Sequence, residues 1–197
     1  MANAIITKEC LQLLGTIARK PHSNLISLSD TIWRTLCADR DGKGEPAPRL
    51  YRVAMLHLLQ ISSEIPEASG STDLVDHISS IDIEELLDTE IPDHVRTFLV
   101  VVRDVIWNRR TFQSHVKRVT SSPLVGLIPQ KAKLGDHIRI LYGCSVPVVL
   151  RRHLRPNNEV YWQLIGDAYV HGIMDGEAIR DASPEILKSS ETVFEIR

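Results

Sequence analysis

Cysteine is scarce in this 197-residue chain, and Cys10, Cys37 and Cys144 are odd in number, far apart and in no CxxC pair. A disulfide scaffold is excluded and a reducing compartment is expected. Aromatic residues make up 5% of the chain, and they are not interleaved with basic residues as a single-strand nucleic-acid platform requires. A formal charge of −2 gives no broad attraction to nucleic acid or anionic lipid. No apolar run is long enough to cross a bilayer. The first twenty residues, "MANAIITKECLQLLGTIARK", have no basic leading region, and Lys8 and Glu9 interrupt their apolar stretch, so no signal peptide is read there. A cytoplasmic protein without nucleic-acid or membrane partners is expected. GxxxxGK[ST], GxGxxG and GxSxG are all missing, and no cofactor is expected.

What is present is an ordinary globular composition, 43% hydrophobic and 24% charged, in a chain long enough to bury a self-sufficient core. Ile6, Cys10, Leu13, Leu14 and Ile17 recur at steps of three and four, predicting a helix that ends near Pro21. Ser29 is the expected N-cap of a second helix, with Asp30 in its first turn and Ile32, Trp33, Leu36 and Cys37 as its apolar face. "DGKGEPAPR" is a loop by composition, and "LYRVAMLHLLQI" is helical again. "PEASGSTD" is a second loop, whose Thr72 or Asp73 would cap the short acidic helices of "DLVDHISSIDIEELLDTEI". Pro92 suits a first-turn position, and Val95, Phe98, Leu99, Val102, Val105 and Ile106 follow at core-facing spacing to about Asn108.

Beyond residue 120 the period shortens to two. "HIRILYG" sets Ile138, Ile140 and Tyr142 against His137, Arg139 and Leu141, and "SVPVVLRRHL" puts Val146, Val148 and Leu150 on one face, with Pro147 at an edge or bulge. "RPNN" is a turn, "EVYWQLIGDAYV" a third strand and "TVFEIR" a candidate fourth. The expected class is α+β. A helical part over residues 1–120 would pack on a β-rich part over 121–197 as one compact unit, the latter a small antiparallel sheet or partial barrel.

The eight histidines form no HxxxH or His/Cys zinc pattern. His137, His153 and His171 come nearest to a cluster, and no metal is expected. Cys144 or Ser145 in "YGCSVP" would need His171 as base, and a buried structural cysteine is the expectation there. Asp167, Asp175 and Glu177 would serve acid/base chemistry only across a pocket. An acidic residue before glycine, as in "MDGEA", is also good turn chemistry. Arg109, Arg110, Lys117 and Arg118, with Arg151, Arg152 and Arg155, are candidates for a phosphate or an acidic partner. The alternative is a solvated face offsetting the acidic 82–90 segment.

"IWRTLCADR" at 32–40, "WNRRTF" at 107–112, "LVGLIPQKAKLGDHIRILYGCSVPVVLRR" at 124–152 and "YWQLIGDAYVHGIMDGEAI" at 161–179 together resemble the carboxy-terminal region of fungal heterokaryon-incompatibility proteins. In that family the region reads Arg-Arg-Phe, Gly-Leu-Gly-Pro, Gly-Asp, Val-Pro-hydrophobic-Leu-Arg and finally Gly-Glu-aromatic-Val-His-Gly-Ile-Met-Asp-Gly-Glu. Here "GLIPQ" replaces Gly-Leu-Gly-Pro and Asp167 stands where glutamate is usual. The amino-terminal HET domain that carries the family's signalling is expected to be missing, so the resemblance implies kinship without that activity.

Two readings follow. The first is a non-catalytic recognition or scaffold module acting by protein contacts, with Arg151, Tyr142, Tyr169, His171, Arg109 and Arg110 as binding residues. The second is a stand-alone enzyme of secondary metabolism catalysing an isomerisation, cyclisation or hydrolysis, with His171, Asp167, Tyr169, Asp175 and Glu177 as its candidates. The partner is then a protein or a small-molecule ligand, and self-association stays open.

Overall fold

The computed structural model describes residues 4–19, 26–62, 80–114, 123–180 and 183–197. The class is α+β, with short helices and small antiparallel sheets. The chain divides into two compact units, Met1–Thr111 and Phe112–Arg197.

In the first unit the predicted opening helix is three elements. β1 (Ile5–Thr7) leads into α1 (Lys8–Leu14), and β2 (Ile17–Arg19) follows. Thr7 starts the helix by accepting a hydrogen bond from the Cys10 amide, and Gly15 ends it at φ 156°. A Cβ at Gly15 would lie 2.8 Å from that of Ser29. Ile6 and Ile17 are fully buried, but as strand residues. Ile6 pairs with Ile81 of β4 (Ser80–Asp82) and Ile17 with Leu28 of β3 (Ile26–Leu28). Pro21, Thr72 and Asp73 lie outside the described residues.

α2 (Asp30–Leu36) has Ser29 in the N-cap position, although its side chain makes no capping bond. Trp33 instead donates its indole N–H to Asp30 Oδ1 at 2.9 Å. Ile32, Trp33, Leu36 and Cys37 are buried as the pattern requires. Cys37 Sγ lies 3.2 Å from the Trp33 carbonyl, and burial pushes its thiol up to about 12. The 41–49 loop turns on Asp41, whose carboxylate accepts from the amides of Lys43 and Glu45.

α3 (Leu50–Ser62) packs on α5 (Asp93–Ile106) through Tyr51 and Phe98, ring centroids 5.2 Å apart. Pro92 sits at the N-cap of α5 rather than inside its first turn. Between them, α4 (Ile83–Leu87) is capped by the Asp82 carboxylate, and Arg96 of α5 ties down the carbonyls of Leu87 and Thr89.

"RRTF", singled out for its charge, is strand β5 (Arg109–Gln113), which begins in the first unit and ends in the second. In the second unit β6 (Val125–Pro129) lies centrally in a three-stranded sheet of order β10-β6-β5. β7 (His137–Arg139), β8 (Val148–Leu154) and β9 (Val160–Asp167) form a second sheet in that order. β9 hands over through buried Ala168 to β10 (Tyr169–Val170), so the chain passes from one sheet into the other at this corner.

The corner needs glycine at both contacts: a Cβ on Gly166 (φ 155°) would lie 2.8 Å from Pro129 Cγ, and one on Gly126 would lie 2.0 Å from the Tyr169 carbonyl oxygen. Ala132, Val149, Ala168 and Val170 form the core between the sheets, with Phe112, Ile138 and Ile165 packed against it. Among the described residues the strands do not close into a barrel.

Three strand expectations change. β7 stops at Arg139 because residues 141–144 turn, the Cys144 amide bonding the Leu141 carbonyl. Ile140 and Tyr142 are therefore exposed. Val148, Val149 and Leu150 are all buried instead of alternating. The register of β8 on β9 slips between Val149, opposite Gly166, and Leu150, opposite Leu164, which leaves Ile165 as an extra residue. "TVFEIR" forms a single parallel bridge, Ile196 to Trp162, rather than a strand. Two short helices, α6 (Glu177–Arg180) and α7 (Pro184–Ser190), precede it and bury no residue.

Candidate functional site

The 164–179 motif makes the corner itself. Tyr169 is 3% exposed, and its hydroxyl lies 3.1 Å from Nδ1 of half-buried His171. The His171 amide donates to the Val125 carbonyl at 2.9 Å, which ties the backbone of this residue to β6. Val170 donates its amide to the Met174 sulfur at 3.3 Å. Asp175, Gly176 and Glu177 form a turn: Gly176 has φ 84°, and Glu177 Oε2 accepts from the Asp175 amide at 2.7 Å at the start of α6. Arg180 closes it on the Asp175 carbonyl. Asp167 ends β9, exposed and opposite Val148. The candidates thus fall into a Tyr169–His171 pair and an Asp175–Glu177 turn.

Arg151 is held from β8 across to the loop before β7. Its Nε and Nη2 donate to Asp136 Oδ1 and Oδ2, both at 2.8 Å, and Nη2 also donates to the Lys131 carbonyl at 3.0 Å. Burial pushes the Asp136 carboxyl up, but hydrogen bonds from Arg151 and from the Lys133 amide outweigh it and hold the group below its ordinary range. Asp136 was missed as a functional partner because the pairing crosses from a loop to a strand; its "GD" turn was the available signal.

The other basic candidates are spread out. Arg155 pairs with Glu159 and Glu195, both at 2.7 Å. Arg152, the next residue along the strand from Arg151, points to the opposite face. Arg109 and Arg110 lie in β5 within the first unit. Lys117 and Arg118 lie outside the described residues. Tyr142 is 85% exposed and donates its hydroxyl to Glu191 at 2.7 Å.

The three histidines near the sheets have separate company: His137 is edge-on to Trp162, His153 stacks on Tyr161 and His171 meets Tyr169. No group of three His, Cys, Asp or Glu among the described residues is placed to hold a metal. Cys144 is exposed, contrary to the expectation of a buried thiol, because it sits in the turn that ends β7. No helix among the described residues is long and apolar enough to cross a membrane.

Among the described residues, two three-stranded sheets sharing one small core, with a glycine-dependent corner, define a small two-sheet β-domain. The Het-6 beta-barrel domain family matches residues 107–185, which makes this carboxy-terminal region similar to that of heterokaryon-incompatibility proteins. No curated protein and no solved structure matches the chain.

Proposed function

We propose that the chain is a non-catalytic recognition or scaffold module related to heterokaryon-incompatibility proteins, acting by protein–protein contacts in the fungal cytoplasm. The observation that carries this reading is how the corner's polar groups are used: Tyr169 bonds His171, Glu177 bonds the Asp175 amide and Arg151 is clasped by Asp136. These bonds are made within the fold itself, side chain to side chain or side chain to backbone. Large side chains meanwhile face outward from the second sheet, Leu154 at 57% and Leu164 at 51% exposed. Outward apolar groups on a sheet suit a partner surface better than a reaction centre.

The test is co-purification with the intact chain, beside its His171→Ala and Leu154→Asp variants. A partner retained by the wild type and by His171→Ala, and lost with Leu154→Asp, is the expected result. A small molecule clasped at Tyr169 and His171, whose turnover stops on replacing His171, overturns the reading in favour of an enzyme.

A further inference from the structure

We propose that the edge of β9 around Trp162 is a docking groove for an extended segment of a partner protein in which an aromatic residue is followed by a carboxylate, and that Phe194–Glu195–Ile196 is its intramolecular occupant. This rests on the recognition-module reading and names the partner chemistry.

Among the described residues the sheet order β7-β8-β9 leaves β9 at an edge. Such an edge offers a row of backbone donors and acceptors that another strand can pair with. Here the chain's own terminal segment does so in parallel: the Trp162 amide donates to the Glu195 carbonyl, and the Arg197 amide donates to the Trp162 carbonyl, both at 2.8 Å. The side chains add a reading of sequence. The Phe194 ring stands edge-on to Trp162 with centroids 5.2 Å apart, and the Arg139 guanidinium lies 5.8 Å from the centre of the Phe194 ring. The next residue, Glu195, accepts from Arg155 and Arg197, each at 2.7 Å. Those hydrogen bonds, Arg155 first, hold its carboxyl below the ordinary range. Earlier in the segment, Glu191 accepts from Tyr142. The occupied edge therefore selects an aromatic ring and then an acid.

Three observations mark the occupant as replaceable. It makes one bridge to a strand of eight residues. α6 and α7, which lead into it, bury no side chain, and Val193 within it is 97% exposed. Among the described residues Arg139 Nε is shielded from solvent and makes no hydrogen bond, so beside Phe194 a buried donor stays unsatisfied, a cost that a ligand supplying an acceptor recovers. A partner strand running further along β9 forms more ladder bonds than this one does.

The probe is a fluorescent peptide of residues 191–197, ETVFEIR, titrated onto the full chain. In the wild type the internal segment competes, so apparent affinity falls with the fraction of open groove. Phe194→Ala and, separately, Glu195→Lys are expected to tighten peptide binding about tenfold or more. Circular dichroism confirms that each variant folds, and Glu195→Lys, altering an exposed side chain, serves if Phe194→Ala does not. Adding Trp162→Ala to either variant should abolish the gain, as should replacing the peptide's phenylalanine by alanine. Equal affinity for wild type and both variants overturns the proposal, and so does indifference to the peptide's aromatic residue. A concentration-dependent wild-type dimer that Phe194→Ala dissolves overturns the choice of a partner protein in favour of a second copy. Failure of the peptide to bind any variant removes the groove but leaves the recognition reading to its own turnover test at His171.

Discussion

Arg151 grips Asp136 through two parallel hydrogen bonds of 2.8 Å, with the carboxylate side chain only 7% exposed. The pair joins β8 to the loop that starts β7, so it sets the register of the second sheet as well as neutralising a buried charge. Such fork-to-fork geometry is directional, and lysine does not reproduce it. Arg151→Lys and Arg151→Ala are both expected to lower the thermal midpoint, the alanine variant more, because Asp136 then stays buried and unpaired. Thermal unfolding followed by circular dichroism checks the order.

The same pair predicts an acid limb. Asp136 has a folded pKa below its unfolded value, which is about 3.9. Its contribution is therefore fully present above that unfolded value and is lost as pH falls through the lowered folded one. Asp136→Asn should destabilise the protein at pH 7 and flatten the stability profile from about pH 5 downward, where the wild type surrenders this increment. Urea midpoints measured across that range decide it, and parallel wild-type and variant curves would contradict the assignment.

Legibility followed element length. α5 spans fourteen residues and α3 thirteen, enough turns for a 3.6-residue period to stand out, and both are read as helices, α5 from its apolar spacing. β1, β2, β3 and β4 have three residues each, too few to display alternation. Ile6 and Ile17 thus passed for a helical stripe when tertiary pairing with Ile81 and Leu28 decides their state. At the site, the Asp175–Gly176 turn was written locally in a dipeptide that favours positive φ. The Arg151–Asp136 clasp and the Phe194–Trp162 contact were not, since each depends on which strands become neighbours.

The thiols should separate cleanly. Burial pushes Cys10 up to about 11 and Cys37 up to about 12, so both are almost wholly protonated at pH 8 and poor nucleophiles. Cys144 is exposed in its turn. Iodoacetamide at pH 8 is expected to modify one thiol in the native protein and all three after denaturation, and Cys144→Ser should abolish the native reaction. Peptide mapping identifies the site; rapid native labelling of Cys37 would contradict its burial.

Glycine supplies the sharpest test of the corner, because two positions separate crowding from backbone strain. At Gly126 the obstacle is steric: an added Cβ meets the Tyr169 carbonyl oxygen at 2.0 Å, and that oxygen belongs to the strand paired with β6. Backbone cannot rotate aside as a side chain can, so β6 and β10 must separate. Gly126→Ala should cost at least about 3 kcal/mol, the upper end of typical overpacking penalties. At Gly172 no atom lies within 4 Å, and the demand is a φ of 77° alone. Gly172→Ala should cost about 1–2 kcal/mol, the ordinary penalty for a Cβ in left-handed backbone, and Gly172→Asn less, since asparagine tolerates that region. Chemical denaturation gives all three values. If Gly126→Ala proved no worse than Gly172→Ala, the close approach of β10 to β6, and with it the placement of Tyr169 and His171, would be wrong.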